Sequence, residues 1–266
     1  MRFALALVGS ALTASLAVPV AAQTPLPPVS MPKPRSFVEM GYPVPALESQ
    51  TQGTAVVRAA LDETGHVTSA EALAGPPSLA PAAVENVRAW TFEPGPRSAV
   101  IVYRFEIDYG RCNDDTRGLF RVKHDNMVVL TTCKGPNRQL GVYSATEPWI
   151  REMGDAVYPP IAVSARVTGA VILALDLDRG GKVTKVTPLS GPPLVLSAAV
   201  THARTWRLFS YRKLPRELVM VYEFGLDSLY CPSDAYRAAF RQTDAGHVRL
   251  DACPPTVEVS TARPKP

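Results

Sequence analysis

This chain of 266 residues is poor in the residues from which catalytic and metal centres are built. It has only 4 histidines and 4 cysteines, and aromatic residues make up 8%. There is no Cys-x-x-Cys and no close pair of histidines, so the spacings that hold zinc or a redox dithiol are missing. There is no Gly-x-Ser-x-Gly. Ser190-Gly191 comes nearest to a nucleophile elbow, and Ala74 stands at the corresponding place earlier in the chain. Charge of one sign is also scarce: the net charge is +4, with no basic run carrying interleaved aromatics, which argues against a nucleic-acid partner. No cofactor and no small-molecule substrate is suggested.

Long apolar runs are equally few. One, Phe3 to Val18, follows Arg2 and precedes Val20-Ala21-Ala22. A charged start, an apolar stretch and small residues at the end form the pattern of a secretory signal peptide, with cleavage expected after Ala22. The alternative is an uncleaved inner-membrane anchor facing the periplasm. Export also suits the cysteines. Cys112 and Cys133 lie 21 residues apart, and Cys231 and Cys253 lie 22 apart. Four cysteines allow three connectivities, and repeat symmetry favours 112–133 and 231–253 as disulfides.

What the chain does contain is a repeat. Tyr158 to Trp206 lies without a gap on Tyr42 to Trp90, displaced by 116 positions, with 18 of 49 residues identical. The identities include Tyr42/Tyr158, Pro43/Pro159, Gly53/Gly169, Asp62/Asp178, Gly65/Gly181, Gly-Pro-Pro at 75–77 and 191–193, Ala-Ala-Val at 82–84 and 198–200, and Trp90/Trp206. Duplication of one module explains such a match.

Five segments are expected: a signal peptide (1–22), a proline-rich leader (23–36), two repeats (37–137 and 138–257) and a disordered tail (258–266). Each repeat reads alike. A short helix follows Tyr-Pro and is expected to end at Gly53 or Gly169, where positive φ is needed. A strand with period-2 apolar residues comes next: Ala55, Val57, Ala59 and Leu61, or Val171, Leu173, Leu175 and Leu177. Tight turns at 62–65 and 178–181 lead into second strands over 66–74 and 182–190. Helices are expected over 80–90 and 196–206, and third strands over 99–108 and 218–227. The helical crossover between strands two and three implies that these two run parallel, and Pro188 suits an edge strand, so the order is 2-1-3.

These motifs together resemble the C-terminal domain of TonB-like energy transducers. They are Tyr-Pro-x-x-Ala, glycine before an alternating strand, Asp-x-x-Gly-x-Val, Gly-Pro-Pro, the Ala-Ala helix ending in Arg-x-Trp, the Trp90-Thr-Phe92-Glu-Pro94 run and a closing Tyr-x-Phe strand. Copy two departs at Leu208 and Ser210, and the apolar N-terminal run lacks the histidine usual in the family's anchor. The resemblance implies an α+β fold, each copy a three-stranded antiparallel sheet with two helices on one face. To this the cysteine pairs would add a disulfide-pinned hairpin. It also implies no catalysis, and binding of an extended peptide from an outer-membrane receptor or envelope protein by strand addition.

The resemblance places partner binding on the third-strand edges, at Val100, Val102, Tyr103 and Phe105 in copy one and Val219, Val221, Tyr222 and Phe224 in copy two. The expected function is a periplasmic, non-catalytic protein-interaction protein. The alternatives are a true energy transducer and, less favoured, a periplasmic enzyme. The segments after each third strand also align: Phe120-Arg121 with Phe240-Arg241, and Leu130 with Leu250. Their turn residues, Asp125-Asn126 and Ala245-Gly246, predict hairpins that cover or narrow those edges.

Other candidates have plain readings. Asp176-x-Asp178-x-Gly180 could form a cation loop, but a hairpin turn is favoured. His66, His124, His202 and His247 are expected to be solvated. Trp90 and Trp206 are expected in the core, and Trp149 remains an interface candidate.

Overall fold

A computed structural model describes residues 31–108, 119–133, 148–226 and 239–252. The signal segment, residues 23–30 of the leader, the whole tail, Cys112, Cys231, Cys253 and the side chain of Cys133 lie outside the described residues, and with them the disulfide assignment. Among the described residues, no helix is long and apolar enough to cross a membrane.

The first module opens with strand β1 (Pro34–Ser36) and helix α1 (Val44–Glu48). Strands β2 (Gly53–Leu61) and β3 (Val67–Ala74), helix α2 (Ala80–Val87) and strand β4 (Thr91–Phe92) follow. It closes with β5 (Ser98–Asp108), β6 (Leu119–His124) and β7 (Met127–Cys133). The second module repeats the series: β8 (Trp149–Glu152), α3 (Pro160–Ser164), β9 (Gly169–Leu177) and β10 (Val183–Ser190). Then come α4 (Pro193–Ala203), β11 (Arg207–Phe209), β12 (Glu217–Leu226), β13 (Ala239–Asp244) and β14 (His247–Ala252).

The expected 2-1-3 order is present in both copies, as β3-β2-β5 and β10-β9-β12, antiparallel throughout. The three-stranded description is nevertheless too small. The hairpin belongs to the sheet: β7 pairs with β5, and β14 with β12, in parallel, giving five-stranded mixed sheets β3-β2-β5-β7-β6 and β10-β9-β12-β14-β13. Two further two-stranded sheets, β1-β4 and β8-β11, tie the segment before each module to the segment after its long helix.

Helices cover one face of each sheet. In the first module Ala46, Leu79, Ala83 and Val87 pack on Val57, Ala59, Ile101, Tyr103 and Leu130. In the second, Ala162, Val195, Ala199 and Ala203 pack on Val171, Leu173, Met220, Tyr222 and Leu250. Trp90 and Trp206 are core residues, 2% and 0% exposed, and lie just past their helices rather than inside them. The opposite faces of the two sheets meet. Val56, Val100, Val102 and Met127 from one module and Ala170, Ile172 and Val221 from the other form a third apolar cluster. Burial on both faces explains why β5 and β9 read as nearly continuous apolar runs.

Local details correct the sequence reading. The short helices end before their glycines, and positive φ falls on Gln50 (53°) and Arg166 (52°). Gly53 and Gly169 begin the strands, φ 138° and 146°, where a Cβ would press on Pro76 or Pro192 of the Gly-Pro-Pro corner. The second long helix starts at Pro193, three residues earlier than expected, because proline suits the first helical position. Asp178 Oδ1 accepts the amides of Gly180 (2.8 Å) and Lys182 (2.9 Å), and Asp62 Oδ1 accepts those of Thr64 and His66 (both 2.9 Å), so these aspartates organise turns. Pro188 lies on the outer strand β10, where its missing donor costs nothing.

Gly181 has φ +78°, and a Cβ there would collide with the carbonyl oxygen of Leu208. Gly181→Ala is expected to cost about 2–3 kcal/mol through left-handed backbone and displacement of β11. Urea unfolding measures this; a loss under about 0.5 kcal/mol would contradict the close approach.

Candidate functional site

Six of the eight expected partner-binding residues, Val102, Tyr103, Phe105, Val221, Tyr222 and Phe224, lie where a hairpin strand pairs with the third strand, while Val100 and Val219 precede those ladders. Val102 and Tyr103 face Met127 and Val128 across the β5–β7 ladder, and Val221 and Tyr222 face His247 and Val248 across β12–β14. The amide of Val102 donates to Asn126 O, and that of Val221 to Gly246 O, both at 2.8 Å. The side chains are occupied as well. Val100, Val102 and Val221 are buried between the modules, with Val219 packed beside them. Tyr103, Phe105, Tyr222 and Phe224 are buried beneath the helices. What resemblance marks as a docking edge is filled by the chain's own hairpin.

Beneath each long helix one polar side chain joins the incoming segment to the core. Asn86 Nδ2 donates to Val38 O (2.9 Å), while Asn86 Oδ1 accepts from Trp90 Nε1 (3.0 Å) and the Tyr103 hydroxyl (2.9 Å). His202 occupies the same place in the second module. Its Nε2 lies 3.0 Å from Gly154 O and its Nδ1 lies 2.9 Å from the Tyr222 hydroxyl. A carbonyl only accepts, so Nε2 carries the proton and Nδ1 accepts from the tyrosine. Histidine then has nothing to offer the indole, and Trp206 Nε1 is buried without an acceptor among the described residues. His202 is therefore a buried linker, not the solvated residue expected. Its alignment with Asn86 held the signal, since both are polar residues on the same helical position.

The modules meet through charge. Arg104 of β5 and Glu223 of β12 occupy equivalent places, each between the tyrosine and phenylalanine of Tyr-x-Phe. Glu223 is fully buried. Its Oε1 lies 2.8 Å from Lys123 Nζ and 3.5 Å from His124 Nε2, both on the other module, and 3.2 Å from Arg249 Nη1 on its own. Oε2 lies 3.1 Å from His247 Nε2, within ion-pair distance but off the line of a directed hydrogen bond. In return, Arg104 Nη1 donates to His247 Nδ1 (2.8 Å) and Thr243 Oγ1 (3.4 Å).

Two further contacts are related in the same way. Thr54 Oγ1 donates to Asp244 Oδ2 (2.8 Å), and Asn126 Nδ2 donates to Ala170 O (2.9 Å). Each first strand thus meets the other module's hairpin turn, as an interface between two related copies requires.

Burial raises the Glu223 carboxyl, but contacts from His124 and His247 and the Lys123 charge overcome it and hold it well below the usual carboxylate range. Burial pushes His247 and His202 below the ordinary histidine value; Arg104 pushes His247 further down, while Glu223 and Asp244 oppose. His247, expected to be solvated, is also buried. His66 is exposed as expected, with Nδ1 2.7 Å from Thr64 Oγ1, and His124 is half-buried. Among the described residues, no group of three histidine, cysteine or carboxylate side chains is arranged to hold a metal. Trp149 is half-buried against Phe209 (5.1 Å between ring centroids) and Tyr211 (5.3 Å).

With this geometry, comparison with known proteins has a definite point of contact. Residues 38–110 match the family described as Gram-negative bacterial TonB protein C-terminal. This segment is a TonB C-terminal domain. The match takes in the first module from its incoming segment through β5 and stops before the hairpin. The match does not extend to the second module, which is related to the first by the internal repeat. No curated protein and no solved structure matches the chain.

Two outcomes follow. His202→Leu strands Gly154 O and the Tyr222 hydroxyl and is expected to cost about 1–3 kcal/mol, whereas His202→Asn restores the first module's arrangement and should cost less. Equal losses in urea unfolding would contradict the linker role. Because His202 and His247 titrate lower when folded, the unfolded chain binds more protons below the ordinary histidine value. Their stabilisation is complete above about pH 6.5 and is lost as pH falls toward their folded values. Thermal melts from pH 7.5 to 5 should show Tm falling with pH; a rise would reverse the assignment.

Proposed function

We propose that this chain is a periplasmic, non-catalytic protein-interaction protein of the TonB C-terminal kind, built from repeats 37–137 and 138–257 and exported by a signal removed after Ala22. The family match supports the interaction role in general. The observation that separates this reading from energy transduction is that the hairpins fill the third-strand edges from Val102 and from Val221 onward. A receptor peptide adding to β5 would have to displace seven register pairs with β7, and on β12 six with β14. Partners of the envelope would then engage other surfaces of the paired sheets.

Complementation tests the reading. In a strain lacking its transducer, this gene is expected not to restore receptor-dependent uptake. Restored uptake would make transduction the function. Edman sequencing of the exported protein is expected to begin at Gln23, and retention of residues 1–22 would favour the membrane-anchored alternative.

A further inference from the structure

With the third strands enclosed, four outer strands remain: β3, β6, β10 and β13. The repeat permits a direct comparison between β6 and β13, which occupy equivalent places. On β13, Arg241 Nη1 pairs with Asp251 Oδ2 at 2.8 Å. Gln242 beside it clamps the segment entering the second module: its Nε2 donates to Pro148 O and its Oε1 accepts from Ile150 N, both at 2.9 Å. That edge is held by its own chain. Proline and Lys185 guard β10. The exposed residues of β3 are Thr68, Ser69, Glu71 and Ala72, small or charged, and Glu71 pairs with Arg58.

On β6 the ion pair and the glutamine clamp are missing, although Lys123 is present and Phe37 of the incoming segment stacks on Phe120 with 5.9 Å between ring centroids. Arg121 replaces Arg241, but Thr131 stands where Asp251 would pair with it. Val122 replaces Gln242, and among the described residues no hydrogen bond joins the first module's incoming segment to β6. Leu119 is 43% exposed and Val122 41%. An edge strand with two exposed branched apolar residues and an exposed arginine outside any described ion pair is what edge protection normally avoids.

We propose that the outer edge of β6 is a strand-addition site for an extended acidic segment of a partner protein. Main-chain hydrogen bonds to the edge supply binding, an apolar side chain packs beside Val122, and a carboxylate pairs with Arg121. Charge complementarity selects the occupant through Arg121, which is exposed and outside any described ion pair, whereas Lys123, on the same face of β6 by strand alternation, is already held by Glu223. A second copy of this chain would place Arg121 near its own equivalent in an edge-to-edge pairing, which like charge disfavours. The proposal rests on the protein-interaction reading and names where and what it binds.

The test uses the full exported chain and two fluorescein-labelled synthetic peptides of alternating valine with glutamate or valine with lysine, read by fluorescence anisotropy at low salt. The glutamate peptide is expected to bind, and the lysine peptide roughly tenfold more weakly or not at all. Arg121→Glu should reverse that preference, and Val122→Gln should weaken the glutamate peptide. Circular dichroism melts confirm that both variants, altered at exposed positions, remain folded. Binding unchanged by either substitution would overturn the edge assignment while leaving the interaction reading standing. Failure of the wild type to bind the glutamate peptide at millimolar concentration would also overturn it. So would sedimentation showing a dimer that Val122→Gln abolishes, since the occupant would then be a second copy.

Discussion

The parallel ladder between each third strand and the far strand of its hairpin is the constraint on which this molecule depends. Parallel neighbours cannot be joined by a tight turn, so the chain must travel before it pairs. Here it travels through the outer strand of the hairpin itself, then returns along the edge of β5 or β12. A three-stranded unit with one open side becomes a five-stranded sheet. The same step extends the apolar cores, since Val128 and Leu130, or Val248 and Leu250, are buried beneath the helices' side of the sheet.

Extending the sheets also creates the interface between them. The hairpin turns project Asn126 toward Ala170 and Asp244 toward Thr54, and they bring Lys123, His124 and His247 to Glu223. A carboxylate so deeply buried is costly unless opposite charges meet it. The two copies differ in sign at one position, Arg104 in the first and Glu223 in the second, while keeping the tyrosine and phenylalanine on either side. Across the interface Glu223 is met by Lys123, and the second module carries Thr243 where the first has that lysine.

Much of this was legible in the sequence, for identifiable reasons. Period-2 apolar residues gave β2 and β9, Pro188 put β10 at an edge, and the Asp-x-x-Gly turns were correctly read as turns. The hairpins were expected from their turn residues and β-rich flanks. Their covering of the third-strand edges was expected too, and the ladders bear it out; that they join as parallel strands of the same sheet was not, because periodicity reports which face is buried and not the direction in which a neighbour runs. The partner residues were expected along these edges, which the hairpins pair with from Val102 and Val221 onward. The buried histidines were missed because polarity alone suggests exposure. Two signals were nevertheless present: Asn86 opposite His202, and Arg104 opposite Glu223 in otherwise apolar strands. Both require comparing the copies for what differs rather than for what is shared.

The account stands or falls on the enclosed third strands. Amide hydrogen exchange followed by NMR reads this at two backbone positions, Val102 and Val221, whose N–H groups donate to Asn126 O and Gly246 O of the hairpins. Both amides are predicted to exchange as slowly as those in the central strands β2 and β9. Exchange at the rate of exposed amides, with β2 and β9 still protected, would show that the hairpins leave the edges open and would contradict the account.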